Sequence, residues 1–187
     1  MWRTGLNKSE SPLAAVSGIY PKPRPAVPLS GRENLLLLKI HRVAHWLWKR
    51  HVPFIPRALA LFNRVVFAAE LPHQTKVGRG VKIYHSGLGT VIHPRVVIGD
   101  NVGIAQGVVI GGRSNFKDVP VIEDDVLIGA GAKVLGPVRV GRGAIIGANA
   151  VVLHDVPAGA AVGGIPARIL RKRESEAVRA QLVDTGT

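Results

Sequence analysis

The chain has 187 residues, and 25 Lys and Arg against 12 Asp and Glu give it a formal net charge of +13. That balance predicts attraction to polyanions: nucleic acid, anionic lipid or a phosphate-rich cofactor; with no zinc-finger spacing and no RNA-binding aromatic motif, nucleic acid is not expected as a partner. Cysteine is absent, which excludes disulfides, thiolate metal sites and a cysteine nucleophile.

Residues 1–32 carry Pro12, Pro21, Pro23, Pro25 and Pro28 among Ser, Gly and basic residues, the composition of a flexible tail. The basic residues near the start are not followed by an apolar run of signal-peptide type, and no apolar stretch reaches membrane-spanning length. A cytoplasmic location is expected.

Residues 33–69 read as two short helices. Leu36, Ile40, Val43, Ala44 and Leu47 recur at helical spacing, with Trp46 and Trp48 widening the apolar face and Lys39, Arg42, Lys49 and Arg50 among them. Pro53 and Pro56 close the first helix and open a second over residues 57–69. Amphipathic helices with a basic flank suit packing on a neighbouring domain, the preferred reading, or peripheral contact with the inner face of a membrane.

From Val77 the period changes. Ile92, Ile98, Ile104 and Ile110, then Ile122, Ile128, Val134, Val140, Ile146 and Val152, fall at six-residue steps or a multiple of six. A second column, four residues later, runs Val96, Val102, Val108, Val126, Ala132, Val138, Ala144, Ala150 and Val156. A third holds Asn101, Gly107, Asp125, Gly131, Gly143, Asn149 and Asp155, residue types that tolerate a left-handed backbone. Each hexad predicts a short strand with two inward side chains, then a tight turn. One hexad cannot bury its apolar side alone, so successive coils must stack. With 47% hydrophobic but only 5% aromatic residues, such a core is aliphatic and closely packed.

Two places break the rhythm. At His85–Gly89 there are three extra residues between Ile83 and Ile92. Residues 111–121, GGRSNFKDVPV, keep the count of six but lose the pattern and read as an extruded loop. Functional groups gather at such breaks because loops hold polar groups that a core cannot. Residues 171–187 form a polar tail.

Over residues 70–170 the motifs VGRGVKIYHSG, VVIGGR and VLIGAGAKVLGPVRVGRGAIIGANAVVLHDVPAGAAVGGIPARIL resemble the serine acetyltransferase family of hexapeptide-repeat acyltransferases. The resemblance implies an all-β solenoid, specifically a left-handed parallel β-helix, usually trimeric. It implies an acetyl-CoA-dependent O-acetyltransferase with acetyl-CoA as co-substrate and no metal. The family's general-base histidine corresponds to His85, and its orienting carboxylate, fifteen residues earlier, to Glu70. The serine enzymes mostly carry Asp there.

Gly112, Ala130 and Ala148 recur at intervals of three hexads. They are expected to stack as a column of small residues that leaves a groove for the pantetheine arm, and they match the family's CoA-lining positions. Arg168 and Lys172 are candidate partners for the CoA phosphates.

The serine pattern fails at the acceptor side. The family's Arg-His pair, associated with the serine carboxylate, is replaced by Asp118 and Val119, and the Asp before the catalytic histidine by Tyr84. These three are taken as acceptor-binding candidates. The departures and the short helices resemble the colanic acid and exopolysaccharide acetyltransferases. The expected acceptor is therefore a sugar hydroxyl, in a small molecule or on a lipid carrier, with L-serine as the alternative. Minor alternatives are a metal-dependent carbonic anhydrase, which needs three converging histidines, and a non-catalytic scaffold. His41 and His45 are expected to face solvent or a partner, and His73 and His93 to flank the catalytic region.

Overall fold

The computed structural model describes residues 35–171; the Pro-rich segment 1–32, most of the C-terminal tail and Lys172 lie outside them. Helix α1 spans Leu35–Lys49 and α2 spans Ile55–Phe67. The second helix begins earlier than expected because Pro56 sits inside its first turn, where a fixed φ and a missing N–H cost nothing.

After the helices the chain winds into a three-faced solenoid. One face stacks β1 (Lys76–Val77), β4 (Val97–Ile98), β7 (Val121–Ile122) and β10 (Arg139–Val140). The second stacks β2 (Lys82–Ile83), β5 (Gly103–Ile104), β8 (Leu127–Ile128), β11 (Ile145–Ile146) and β13 (Ala161–Gly163). The third stacks β3 (Val91–Ile92), β6 (Val109–Gly111), β9 (Lys133–Leu135) and β12 (Val151–Val152). All these pairings are parallel. A closing strand, β14 (Arg168–Arg171), turns back antiparallel on β13. This return covers the edge of β13 that would otherwise stay open.

The two aliphatic columns point inward as the hexads require. Ile104, Ile110, Ile128, Val134 and Val140 are fully buried, and so are Val96, Val102, Val108, Ala132, Ala144 and Ala150. Each large one contributes roughly 1.5–3 kcal/mol of hydrophobic stabilisation. Asn101, Gly107, Asp125, Gly131, Gly143 and Asn149 all adopt positive φ. Asp155 does not; Gly159 takes the left-handed position of that coil at φ 67°. Asp155 instead accepts a 2.8 Å hydrogen bond on its Oδ1 from the Arg139 amide.

The rhythm breaks are visible as register. On the third face Val91 pairs with Val109, a step of three hexads, but Val109 pairs with Lys133, a step of four. On the second face Lys82 pairs with Gly103, three residues beyond the three-hexad step. Three residues are therefore extruded between β2 and β3, and one full hexad between β6 and β7.

The helices close the solenoid's first coil. Leu37 and Leu38 of α1 join Ala69, Leu71, Val81 and Ile83 in the continuous core. Asn63 of α2 is fully buried and donates through Nδ2 to the Leu37 carbonyl at 3.2 Å. Packing on a neighbouring domain is thus what one face of the helices does.

His41 lies on that face and is 2% exposed, contrary to the expectation of solvent or partner contact. The stripe that carries Leu37 and Ala44 also carries position 41, so the imidazole is driven inside. His41, His45, Trp48 and His73 form a chain of ring contacts, with centroids 6.0, 5.6 and 6.1 Å apart in that order. His45 Nδ1 lies 2.7 Å from the His73 carbonyl. Burial, and then the neighbouring His45, lower the His41 pKa to about 4. His73 is lowered too, by burial and then by Arg57.

Candidate active site

His85 sits on the corner between β2 and β3, in the first extruded segment. Tyr84 continues β2, donating its amide to the Ile104 carbonyl at 2.9 Å. His85, Ser86 and Gly87 then follow with φ of 51°, 59° and 69°. Three successive left-handed residues make a tight reversed turn, closed by Gly87 N to Tyr84 O at 3.0 Å and Leu88 N to His85 O at 3.2 Å. For an L-residue this costs about 1–2 kcal/mol each, strain of the kind that gathers at functional sites. Its result is an imidazole displayed in solvent on a backbone anchored at both ends.

Glu70 lies beside this corner. It bridges to Val91, and its amide donates to the Thr90 carbonyl at 2.8 Å, so it extends the third face by one rung above β3. Its carboxylate is directed elsewhere than expected. It lies 3.9 Å from the Arg64 guanidinium and lines a depression with Arg57 and His73. Among the described residues no hydrogen bond joins it to His85. The Arg64 contact is long and half-exposed, and pairs of that kind contribute little, so a weak attachment holds the carboxylate away.

The expected small-residue column is only partly assembled. The Ala130 carbonyl accepts from Asn149 N at 2.8 Å, and the Gln106 carbonyl accepts from Gly131 N at 2.9 Å. Ala148, Ala130 and Gln106 are therefore the stacked positions, and Leu88 tops the row through Gly107 N to Leu88 O at 2.8 Å. Gly112 is not in it. The hexad extruded between β6 and β7 shifts the register, so Gly111 pairs with Leu135, and Gly112 lies on the next corner, between the third and first faces. Three-hexad spacing in the sequence does not mean stacking when one coil contains a fourth hexad.

The true column shares the His85 corner. From Leu88 to Ala148 it spans three coil spacings, about 14 Å. Lys133 reaches back over this corner, donating to the carbonyls of Gly131 at 2.7 Å and Gly107 at 3.2 Å. At the far end Arg168 pairs with Gly163, which lies against Gly147, the residue before Ala148. Arg168 is exposed there.

Of the acceptor candidates, Tyr84 is 3% exposed. Its ring lies over the space left by the missing side chain of Gly103, so it packs instead of facing a substrate. Val119 packs against the core, because it re-enters the solenoid just before β7. Asp118 remains exposed with the loop before it. The same loop displays two cations that were not among the expected site residues, Arg113, which ends the motif VVIGGR, and Lys117. Arg113 lies over the Phe116 ring at 5.5 Å, and the Lys117 carbonyl accepts a hydrogen bond from Arg95 Nη2 at 2.5 Å. Their signal was charge within the pattern-free segment.

His85 and the 111–121 loop stand at opposite edges of the third face. One chain does not bring them together.

The described residues hold no group of three or more His, Asp or Glu arranged to take a metal ion.

Residues 120–154 match the family model described as bacterial transferase hexapeptide (six repeats). The chain is 42% identical over 135 residues to a serine acetyltransferase of Synechococcus elongatus, covering 71% of this chain and 55% of that protein. It is 49% identical over 132 residues to a serine acetyltransferase of Bacillus licheniformis, covering 70% and 61%. Among solved structures it superposes on soybean serine acetyltransferase complexed with serine at a TM-score of 0.68, with 40% identity over 72% of this chain and 56% of that one. The serine acetyltransferase of Brucella abortus in complex with coenzyme A gives 0.70, with 35% identity over 73% and 55%. The chain spans between one half and two thirds of the length of these relatives.

Proposed function

The chain belongs to the hexapeptide-repeat transferases, and we propose that it moves an acetyl group from acetyl-CoA to a hydroxyl acceptor. The observation that supports this reading best is a shared corner. His85 stands on a strained, solvent-facing turn at one end of it, and the stacked Ala130 and Ala148 leave room along it.

In this reading neutral His85 removes the proton of the acceptor hydroxyl as its oxygen attacks the thioester carbonyl. The resulting oxyanion collapses, the carbon–sulfur bond breaks, and the proton passes from the imidazolium to the departing sulfur. Such a base contributes about 10²–10⁴-fold. Glu70 steadies the imidazolium once its carboxylate swings from Arg64. Ala130 and Ala148 border the pantetheine arm, and Arg168 meets the phosphate end.

A complete site requires the 111–121 loop of a second copy beside the His85 corner of the first. A cyclic trimer does this three times with one interface. Gly112 then lines the groove from across that interface, where a Cβ added to it meets no atom of the described residues beyond its chain neighbours within 4 Å.

For the acceptor, the names of the relatives favour L-serine over the sugar expected from Asp118 and Val119. Its carboxylate needs a cation, and Arg113 and Lys117 supply candidates on the loop. A sugar hydroxyl is the second reading, favoured by exposed Asp118, since a carboxylate accepts hydrogen bonds from hydroxyls and repels another carboxylate. The test is release of free CoA thiol from acetyl-CoA with L-serine as sole acceptor, against a panel of nucleotide sugars. Serine-dependent release lost in His85→Ala supports the first reading. Release with sugars alone supports the second, and release with neither overturns both.

A further inference from the structure

Helix α1 has two apolar faces, and the solenoid uses one, whereas the residues α2 buries are Pro56 and Asn63 and most of its apolar side chains face outward. On α1, Leu37, Leu38, His41 and Ala44 are buried, while Leu36, Val43 and Trp46 are all more than half exposed. The latter three follow each other at seven and three residues, one stripe of a helix. On α2, Ile55, Leu61, Phe62, Val65 and Val66 are exposed, Val65 at 74%, and Phe54 in the connection between the helices reaches 79%. A monomer rarely displays this much contiguous apolar surface without a partner for it.

The charge on the same helices selects the partner. Lys39, Arg42, Lys49, Arg57 and Arg64 are exposed, and neither helix contains an Asp or Glu. Arg50 lies over the Trp46 ring at 4.0 Å, a cation held flat against the apolar stripe. Two such faces from copies of this chain would set cation against cation with no carboxylate on either helix to pair them and Glu70 already beside Arg64, which costs binding energy. Anionic headgroups above acyl chains satisfy both components at once. No helix among the described residues is long and apolar enough to cross a membrane, so the helices would lie along its surface.

We propose that the outward face of α1 and α2 docks on an anionic lipid bilayer. This stands apart from the acetyl-transfer reading, since its test needs no turnover. The full chain is floated with phosphatidylcholine vesicles and with vesicles in which about a third of the lipid is phosphatidylglycerol. Binding to the anionic vesicles, weakened by salt, is expected. Phe62→Asp with Val65→Asp abolishes it while helicity and oligomer mass stay unchanged. Lys39→Gln with Lys49→Gln weakens it by roughly tenfold or more. No binding to anionic vesicles at low salt, or full binding by the Asp variant, overturns the proposal. So does a change of oligomer mass in the Asp variant, which would make the face a contact between copies.

Discussion

The amide of Gly89 donates a 2.9 Å hydrogen bond to the carbonyl of Ala68. This bond ties the exit of α2 to the far side of the turn that displays His85. Gly87 sits at the middle of that junction, where an added Cβ would lie 3.0 Å from Ile83 Cγ2 and 3.2 Å from Ala69 Cβ. Its φ of 69° already disfavours any side chain. Gly87→Ala should therefore cost about 1–3 kcal/mol in thermal or denaturant unfolding. Acetyl transfer should fall with it, because the turn that aims His85 can no longer close.

His85 is exposed, so removing its ring should leave stability unchanged within about 0.5 kcal/mol. If His85 is the general base proposed above, His85→Ala should lower kcat by about 10²–10⁴-fold with little change in KM for acetyl-CoA. A variant that retained full kcat would remove His85 from the chemistry.

Stability should fall on acidification in a window set by the buried histidine. His41 has its pKa lowered from 6.5 to about 4, chiefly by burial and then by His45, with the Thr75 and Leu71 backbone acting weakly the other way. Between those values the unfolded chain binds the proton and the folded chain does not. Stability is then fully present above pH 6.5, falls as pH drops toward 4, and levels off below it, a loss of about 3 kcal/mol from this group. His73 acts in the same direction. His41→Leu should flatten the slope of unfolding free energy against pH over this range, and an unchanged slope would show that other groups carry it.

The solenoid was legible because its physics is local and repeated. Ile104, Ile128 and Ile146 declare their inward direction by a six-residue period, and Asn101 and Gly131 declare the turns. What was not legible is register across a break. The loop between β6 and β7 extrudes one whole hexad, so the sequence stays in phase while the coil lengthens, and Gly112 leaves the Ala130 column without any change in period. The inward direction of His41 was hidden for a related reason. A helix with apolar residues nearly all round does not say which stripe meets the neighbour, and both directions read as amphipathic. The Glu70 carboxylate was assigned by resemblance to the family's motif, which fixes its position in the chain but not its rotamer.

The same displacement of Gly112 allows the assembly to be tested by mixing. If His85 works with the 111–121 loop of a neighbouring subunit, a His85→Ala chain still offers a sound loop, and a Gly112→Leu chain, with its side chain filling the groove, still offers a sound histidine. Each variant alone should be nearly inactive. In a cyclic trimer assembled from equal amounts of both, a given site takes its histidine from one kind and its loop from the other at random. About one site in four then receives both intact parts, so the unfolded-and-reassembled or co-expressed mixture should recover about a quarter of the wild-type rate. A site built within one chain gains nothing from mixing, because every chain carries one lesion. Recovery near a quarter would thus locate the acetyl-transfer site between subunits. A mixture as inactive as its parts, with mixed trimers verified by mass, would return both His85 and Gly112 to the same chain and rule out the loop as a visitor from its neighbour.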